Sequence, residues 1–98
     1  MYRVIDQRDS GKTRKLLEEC AKNKGIFICT HPDNVVYKCL SYGIDPTDVI
    51  ATCYDDYHNV VRGVYGEGPI YVDEIEKLLK YIIPSLEGYS LTMEGKDE

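Results

Sequence analysis

The chain has 98 residues, of which 43 % are hydrophobic and 30 % are charged. This length holds one domain around one core, and the composition is that of a globular protein rather than a disordered or membrane-embedded one. The formal net charge of −5 argues against nucleic-acid binding by the chain alone, because contacts with phosphate dominate that affinity.

The first predicted element is a short β-strand over residues 2–5, where aromatic and β-branched residues are followed at once by polar ones. This run lacks the cationic region and the long apolar region of a signal peptide, so we expect a cytoplasmic protein without a membrane span. From Lys12 the apolar residues repeat at helical spacing until residues 23–25, which predicts an amphipathic helix.

Further strands and helices alternate along the rest of the chain. Strands are predicted over 26–30, 48–53 and 69–72, with a last edge strand over 89–93. Helices are predicted from Pro32 to Gly43 and from Ile75 to Pro84, and 54–61 is a short helix or a loop. The expected fold is a three-layer α/β/α sandwich with a mainly parallel sheet of four to five strands. It forms one domain over 1–93, followed by a disordered acidic tail over 94–98.

The four cysteines, Cys20, Cys29, Cys39 and Cys53, form no C-x-x-C pair. We therefore interpret them as buried thiols in a reducing compartment. Cys29 and His31 offer a metal two ligands at most, which is too few for a zinc site.

Residues 6–13, with the sequence DQRDSGKT, lie between a predicted strand and a predicted helix. In this context the segment resembles the P-loop, or Walker A motif, of nucleoside triphosphatases. The resemblance implies that Lys12 neutralises β- and γ-phosphate oxygens and that the hydroxyl of Thr13 binds Mg²⁺. It also implies a phosphate cradle at the helix start, made of Asp9, Ser10, Gly11, Lys12, Thr13 and Arg14. This chain departs from the full motif at Asp6, where the motif has glycine. The Cβ of Asp6 narrows the backbone angles that the loop can adopt there.

The predicted strand over 69–72 delivers the pair Asp73-Glu74, which resembles the Walker B motif of the same class. The resemblance implies that Asp73 holds the Mg²⁺ shell. It also implies two catalytic residues. Glu74 orients or deprotonates the attacking water, and Lys12 neutralises the phosphate oxygens. Alternatively, Asp73 is a plain cap of the helix that follows it.

Within this class, the Asp73-Glu74 pair and residues 51–54 resemble the first motor lobe of helicases and terminases. The compact order of parts is also similar to small P-loop proteins of phages and mobile elements. These 98 residues leave no room for a second lobe, so we expect no autonomous translocation. Arg62 is the candidate arginine finger, with a solvated loop arginine as the alternative. A metal-nuclease site made of Asp55, Asp56 and His58 together with Asp73 is disfavoured. No Glu-x-Lys follows Asp73 at nuclease spacing, and Asp55 and Asp56 fit the first turn of a helix.

The first function hypothesis is therefore a nucleotide-binding protein that holds ATP, or another nucleoside triphosphate, with Mg²⁺ and hydrolyses it slowly if at all. The second is a non-catalytic interaction protein, in which a shortened P-loop fold is a scaffold that binds a larger host or phage complex. The nine tyrosines suit such an interface. A third is an accessory subunit of a DNA-processing or defence complex.

Overall fold

The computed structural model describes residues 1–5 and 11–92. These ranges contain four α-helices and three β-strands in alternation, so the predicted α/β class is confirmed. The elements are α1 (Lys12–Lys22), β1 (Ile26–Cys29), α2 (Val35–Tyr42), β2 (Ile50–Cys53), α3 (Tyr57–Val61), β3 (Ile70–Val72) and α4 (Ile75–Ile82). Short 3₁₀ turns lead into α2, β2 and α3.

The three strands form one parallel sheet in the order β2-β1-β3. The central strand, β1, is buried along its whole length, as expected for a continuous apolar run between two neighbours in a parallel sheet. The β1–β3 pairing continues one residue beyond β3, where the Asp73 N–H donates to the Ile28 carbonyl at 2.9 Å. The sheet therefore fixes the main chain of Asp73.

Helices cover both faces of the sheet. Phe27 and Cys29 of β1 pack in one cluster with buried residues of α1 and α2, such as Leu17 and Cys39. Alternate strand residues point to opposite faces, and Ile26 and Ile28 accordingly pack in a second cluster with residues of α3 and α4, including Val60 and Leu78. The two crossovers from β1 to β2 and from β2 to β3 proceed in opposite directions, which places their helices on opposite faces when both are right-handed.

The sheet has fewer strands than the four to five predicted. Residues 2–5 form no strand; instead Tyr2 and Val4 pack against the helix layer of α1 and α2. Residues 89–92 also form no strand, while Met93 and the predicted tail over 94–98 lie outside the described residues. Both predicted strands are short and would have had to pair at an edge, where few apolar contacts offset the cost of ordering the backbone.

The predicted apolar face of α4 is only partly buried. Leu78 packs against the core, but the residues Ile75 and Ile82 are 50 % and 43 % exposed. The cause is the sheet itself: β3 is an edge strand of three residues, so little apolar surface lies beneath this helix.

The four cysteines are free thiols. The predicted burial is confirmed for Cys20, Cys29 and Cys39, whereas Cys53 is only partly buried because it ends the edge strand β2. Burial raises the pKa of Cys20 to about 12 and that of Cys29 to about 11, so these thiols stay protonated near neutral pH. No helix among the described residues is long and apolar enough to cross a bilayer.

Gly25 makes the tight turn between α1 and β1. Its N–H donates to the Cys20 carbonyl at 2.9 Å, and its carbonyl accepts from the Ile50 N–H at 3.2 Å. A Cβ at this position would lie 2.7 Å from the Pro69 carbonyl oxygen and 2.8 Å from Cε1 of Tyr71. The close approach of α1, β1 and the start of β3 therefore requires glycine.

We expect Gly25→Ala to lower the free energy of unfolding by about 1–3 kcal/mol, because the backbone of Pro69 must shift. Gly88→Ala is the matched control, since a Cβ at Gly88 meets nothing within 4 Å, and it should change stability by less than about 0.5 kcal/mol. Urea denaturation of both variants measures the difference. Equal stability of the two variants would contradict the packing described for Gly25.

Candidate functional site

The start of α1 lies at the edge of the sheet where β1, β2 and β3 end, which we call the carboxyl edge. α1 turns directly into β1 through residues 23–25, so the helix runs back along the sheet and its first residues are level with the end of β1. α2 follows β1 and begins at the same edge. Two helix N-termini, with their positive dipole ends, therefore meet the region where ligands bind in open parallel sheets.

Gly11 sets the entry into α1. Its φ of 86° lies in the left-handed region, and no atom lies within 4 Å of the position that a Cβ would take; glycine is therefore selected by backbone angle rather than by crowding. The Lys15 N–H donates to the Gly11 carbonyl at 3.0 Å. Since this is the first bond of the helix, the amides of Thr13 and Arg14 have no acceptor within it.

The charges of the first turn of α1 oppose the helix dipole. The turn contains Lys12 and Arg14, Lys15 follows, and no acidic residue is present there. Cations at a helix N-terminus destabilise the helix, whereas an anion stabilises it. A local conflict of this kind in an otherwise regular helix is typical of a functional site. The positive charge of this turn favours an anionic ligand.

Thr13 and Asp73 are in contact although they are 60 positions apart in the chain. The hydroxyl of Thr13 lies 3.1 Å from one carboxylate oxygen of Asp73 and 3.4 Å from the other. Both side chains are partly buried. The two residues that the sequence assigned to Mg²⁺ are therefore brought together at the carboxyl edge.

The main chain of Asp73 is held on both sides. Its N–H belongs to the β1–β3 pairing, and its carbonyl accepts a short hydrogen bond from the hydroxyl of Tyr54. Tyr54 is the first residue after β2 and is buried, and this burial raises the pKa of its hydroxyl. All three strands thus contribute to the position of one carboxylate.

The pKa of Asp73 is raised, chiefly because burial disfavours the charged carboxylate, and the neighbouring Glu74 adds to the rise. The hydrogen bond from Thr13 and the ammonium groups of Lys38 and Lys12 act in the opposite direction but do not cancel it. A carboxylate that is poorly solvated and already aimed at a hydroxyl is stabilised by a divalent cation.

Glu74, not Asp73, occupies the position that caps α4, and it makes no side-chain capping bond. The alternative interpretation of Asp73 as a helix cap is therefore wrong. Glu74 has a φ of 57°, which is uncommon for a residue with a side chain and is often found at functional sites. Its side chain is exposed, next to Asp73.

The remaining predicted site residues are less directly placed. The Arg14 side chain turns toward α2: its Nε lies 3.1 Å from the Glu18 carboxylate, and its guanidinium lies 5.4 Å from the centre of the Tyr42 ring. At the start of α1, Arg14 thus offers only its backbone amide. Asp9 and Ser10 of the predicted cradle lie outside the described residues, as does Asp6.

The residues between β2 and β3 form a separate polar cluster. Asp56 accepts hydrogen bonds from Thr52, Asn59 and Tyr65, and these bonds lower its pKa. The network closes the turn after α3. Among the described residues, no group of three or more His, Cys, Asp or Glu side chains could hold a metal ion. Arg62, the candidate arginine finger, is exposed and makes no described contact with Thr13 or Asp73.

Sequence reasoning missed the contact of Tyr54 with Asp73 and the electrostatic influence of Lys38 on Asp73. Tyr54 belongs to the segment 51–54 that resembled a motor lobe, and its place directly after a strand was the available signal. Lys38 had no such signal, because its proximity to Asp73 depends on how α2 packs beside α1. No protein-family model, curated protein or solved structure matches this chain.

We expect Asp73→Asn to raise the melting temperature of the ligand-free protein at pH 7. The folded-state pKa of Asp73 lies above its unfolded value, so its contribution to stability is full below the unfolded pKa and is lost as pH rises through the folded pKa. Asparagine keeps an acceptor for Thr13 without the charge. The gain should therefore shrink at acidic pH, where wild-type Asp73 is itself protonated.

Thermal melts of wild type and Asp73→Asn between pH 4 and 8, without Mg²⁺ or nucleotide, test this expectation. The control is Asp33→Asn at an exposed position in the 3₁₀ turn that leads into α2, where loss of an acid near a helix N-terminus gives no gain. A lower melting temperature for Asp73→Asn at pH 7 would contradict the electrostatics described above.

Proposed function

We propose that the chain binds a nucleoside triphosphate, with ATP preferred, together with Mg²⁺ at the carboxyl edge of the sheet. The observation that carries this proposal is the contact between the Thr13 hydroxyl and the Asp73 carboxylate at the N-terminus of α1. A hydroxyl at the start of a helix and a carboxylate at the end of a strand are the pair that P-loop proteins place around Mg²⁺.

The phosphate groups would bind at the start of α1. The left-handed Gly11 brings the backbone close to the ligand, and the amides of Thr13 and Arg14 lack acceptors within the helix. Lys12 neutralises terminal phosphate oxygens. The positive end of the helix dipole also favours a bound anion here.

Mg²⁺ would bind between the terminal phosphates, the Thr13 hydroxyl and Asp73. The ion prefers oxygen ligands and keeps several waters, so two protein ligands suffice. Its binding replaces the hydrogen bond that Thr13 donates to Asp73. Glu74 follows Asp73 and would orient the attacking water, but its exposed side chain is not held in place. We therefore propose binding as the main activity and slow hydrolysis.

This proposal includes the finer features of the fold. In the P-loop family a strand precedes the phosphate-binding loop, and residues 2–5, which pack on the helix layer, take that place in the chain. We propose a truncated P-loop fold in which this strand has been reduced. A cytoplasmic location and an origin in a phage or mobile element belong to the same proposal.

We expect MgATP at about 100 times its Kd to raise the melting temperature of the wild type by more than roughly 10 °C, from about 2.7 kcal/mol of linkage in a domain of this size. Lys12→Ala should lose most of this shift, because it removes the cation at the start of α1. Lys77→Ala on α4, where the side chain is exposed, is the matched control and should retain it. Equal wild-type melting temperatures with and without MgATP would refute the proposal.

A second candidate function is that of an interaction protein, and the outer face of α2 favours it. Val36, Tyr37 and Leu40 are 49 %, 73 % and 62 % exposed, and they lie together on one side of the helix. Exposed aromatic and aliphatic residues in a group suit a protein interface. In this role the fold would be a scaffold for a larger host or phage complex, or for a DNA-processing complex.

The two functions make opposite predictions for the same variants. An interaction protein should capture a stoichiometric partner from lysate equally well with Lys12→Ala or Glu74→Gln, but not with Leu40→Glu. Capture that survives Leu40→Glu would contradict the role of α2, and capture that needs Lys12 would favour the nucleotide-dependent function.

A further inference from the structure

Lys38 lies on the side of α2 that faces α1, close to the carboxyl edge. Tyr42, four residues further along α2, packs under the guanidinium of Arg14, which identifies the α1-facing stripe of the helix. Residues four apart lie one above the other on a helix. Lys38 is therefore one turn nearer the N-terminus of α2 than Tyr42, at the level of the first residues of α1.

The ammonium of Lys38 acts on the candidate site without touching it. It lowers the pKa of Asp73 and that of Cys29, the last residue of β1. The side chain is partly buried, yet within residues 1–5 and 11–92 it forms no hydrogen bond or ion pair. A partly buried ammonium is costly unless a polar or charged group lies close to it, so an anion bound at the carboxyl edge would stabilise Lys38.

We infer that Lys38 is a second phosphate-binding cation of this site and contacts the terminal phosphate of a nucleoside triphosphate. The inference rests on the proposed function. Thr13 and Asp73 would hold Mg²⁺ beside the terminal phosphates, and a cation on the α2 side of Asp73 would then be placed to meet the terminal phosphate. Lys12 approaches from α1, and the phosphate is held between the two helix N-termini.

This placement gives Lys38 a specificity role. A diphosphate, which lacks the terminal group, reaches Lys12 but not Lys38. The site should therefore prefer a triphosphate, and the preference should depend on the charge at position 38. A lysine that merely balanced Asp73 would affect both nucleotides equally.

Calorimetric titration of the full chain with MgATP and MgADP tests the inference. We expect Lys38→Met to weaken MgATP binding by about ten- to a hundredfold, the usual effect of losing one charge-assisted bond, and to change MgADP binding by less than about threefold. Lys38→Arg should recover most of the MgATP affinity because it restores the charge. Lys77→Met, at an exposed position on α4, is the matched control.

The outcomes separate this inference from the proposed function. Wild-type binding of MgATP with unchanged affinity in Lys38→Met overturns the role of Lys38 and leaves the proposed function standing. Equal losses for MgATP and MgADP also overturn it. A wild type that binds neither nucleotide overturns both.

A measurement on the wild type keeps the test independent of folding in the variant. In NMR spectra of the chain, MgATP should shift the Cε–Hε signals of Lys38 and leave those of Lys77 in place. The absence of any shift at Lys38 under saturating MgATP would overturn the inference.

Discussion

One hydrogen bond joins the first helix of the fold to the end of its last strand. The Thr13 hydroxyl at the first turn of α1 meets the Asp73 carboxylate directly after β3. The contact depends on the whole topology: α1 must run back along the sheet, β3 must lie beside β1, and Tyr54 after β2 must hold the main chain of Asp73. Displacement of any one of these elements separates the two groups on which the candidate site depends.

The same region is where the molecule departs most from what stability favours. Cations occupy the positive end of the α1 dipole, the Asp73 carboxylate is partly desolvated, and Glu74 adopts a left-handed backbone. Each feature is unfavourable in the ligand-free chain. A polyphosphate with Mg²⁺ would fit the first two, because an anion is favoured at the positive end of the helix dipole and a divalent cation is favoured beside the carboxylate. For this reason we propose nucleotide binding as the function of the site.

The sequence predicted this region well for a physical reason. Apolar periodicity located α1 and α2, and continuous apolar runs located β1, β2 and β3 within one or two residues. All strands of a parallel sheet end at the same edge, and this rule alone predicted that Thr13 and Asp73 lie close together. The prediction of a strand over 2–5 was wrong. Four residues at the edge of a sheet gain more stability from packing on the helix layer than from pairing with a neighbouring strand. The positions of Arg14 and Lys38 depend on how helices rotate against each other, and a linear pattern does not contain that rotation.

The most direct test of a shared metal and triphosphate site is NMR with Mn²⁺ in place of Mg²⁺. In the presence of ATP, substoichiometric Mn²⁺ should first broaden the amide signals of residues 11–14 and 73–74, while Mn²⁺ without ATP should broaden them far less. Signals of exposed acidic residues remote from this edge, such as Glu87, should stay sharp. Broadening that begins at those remote acids, or that is the same with and without ATP, would contradict the account.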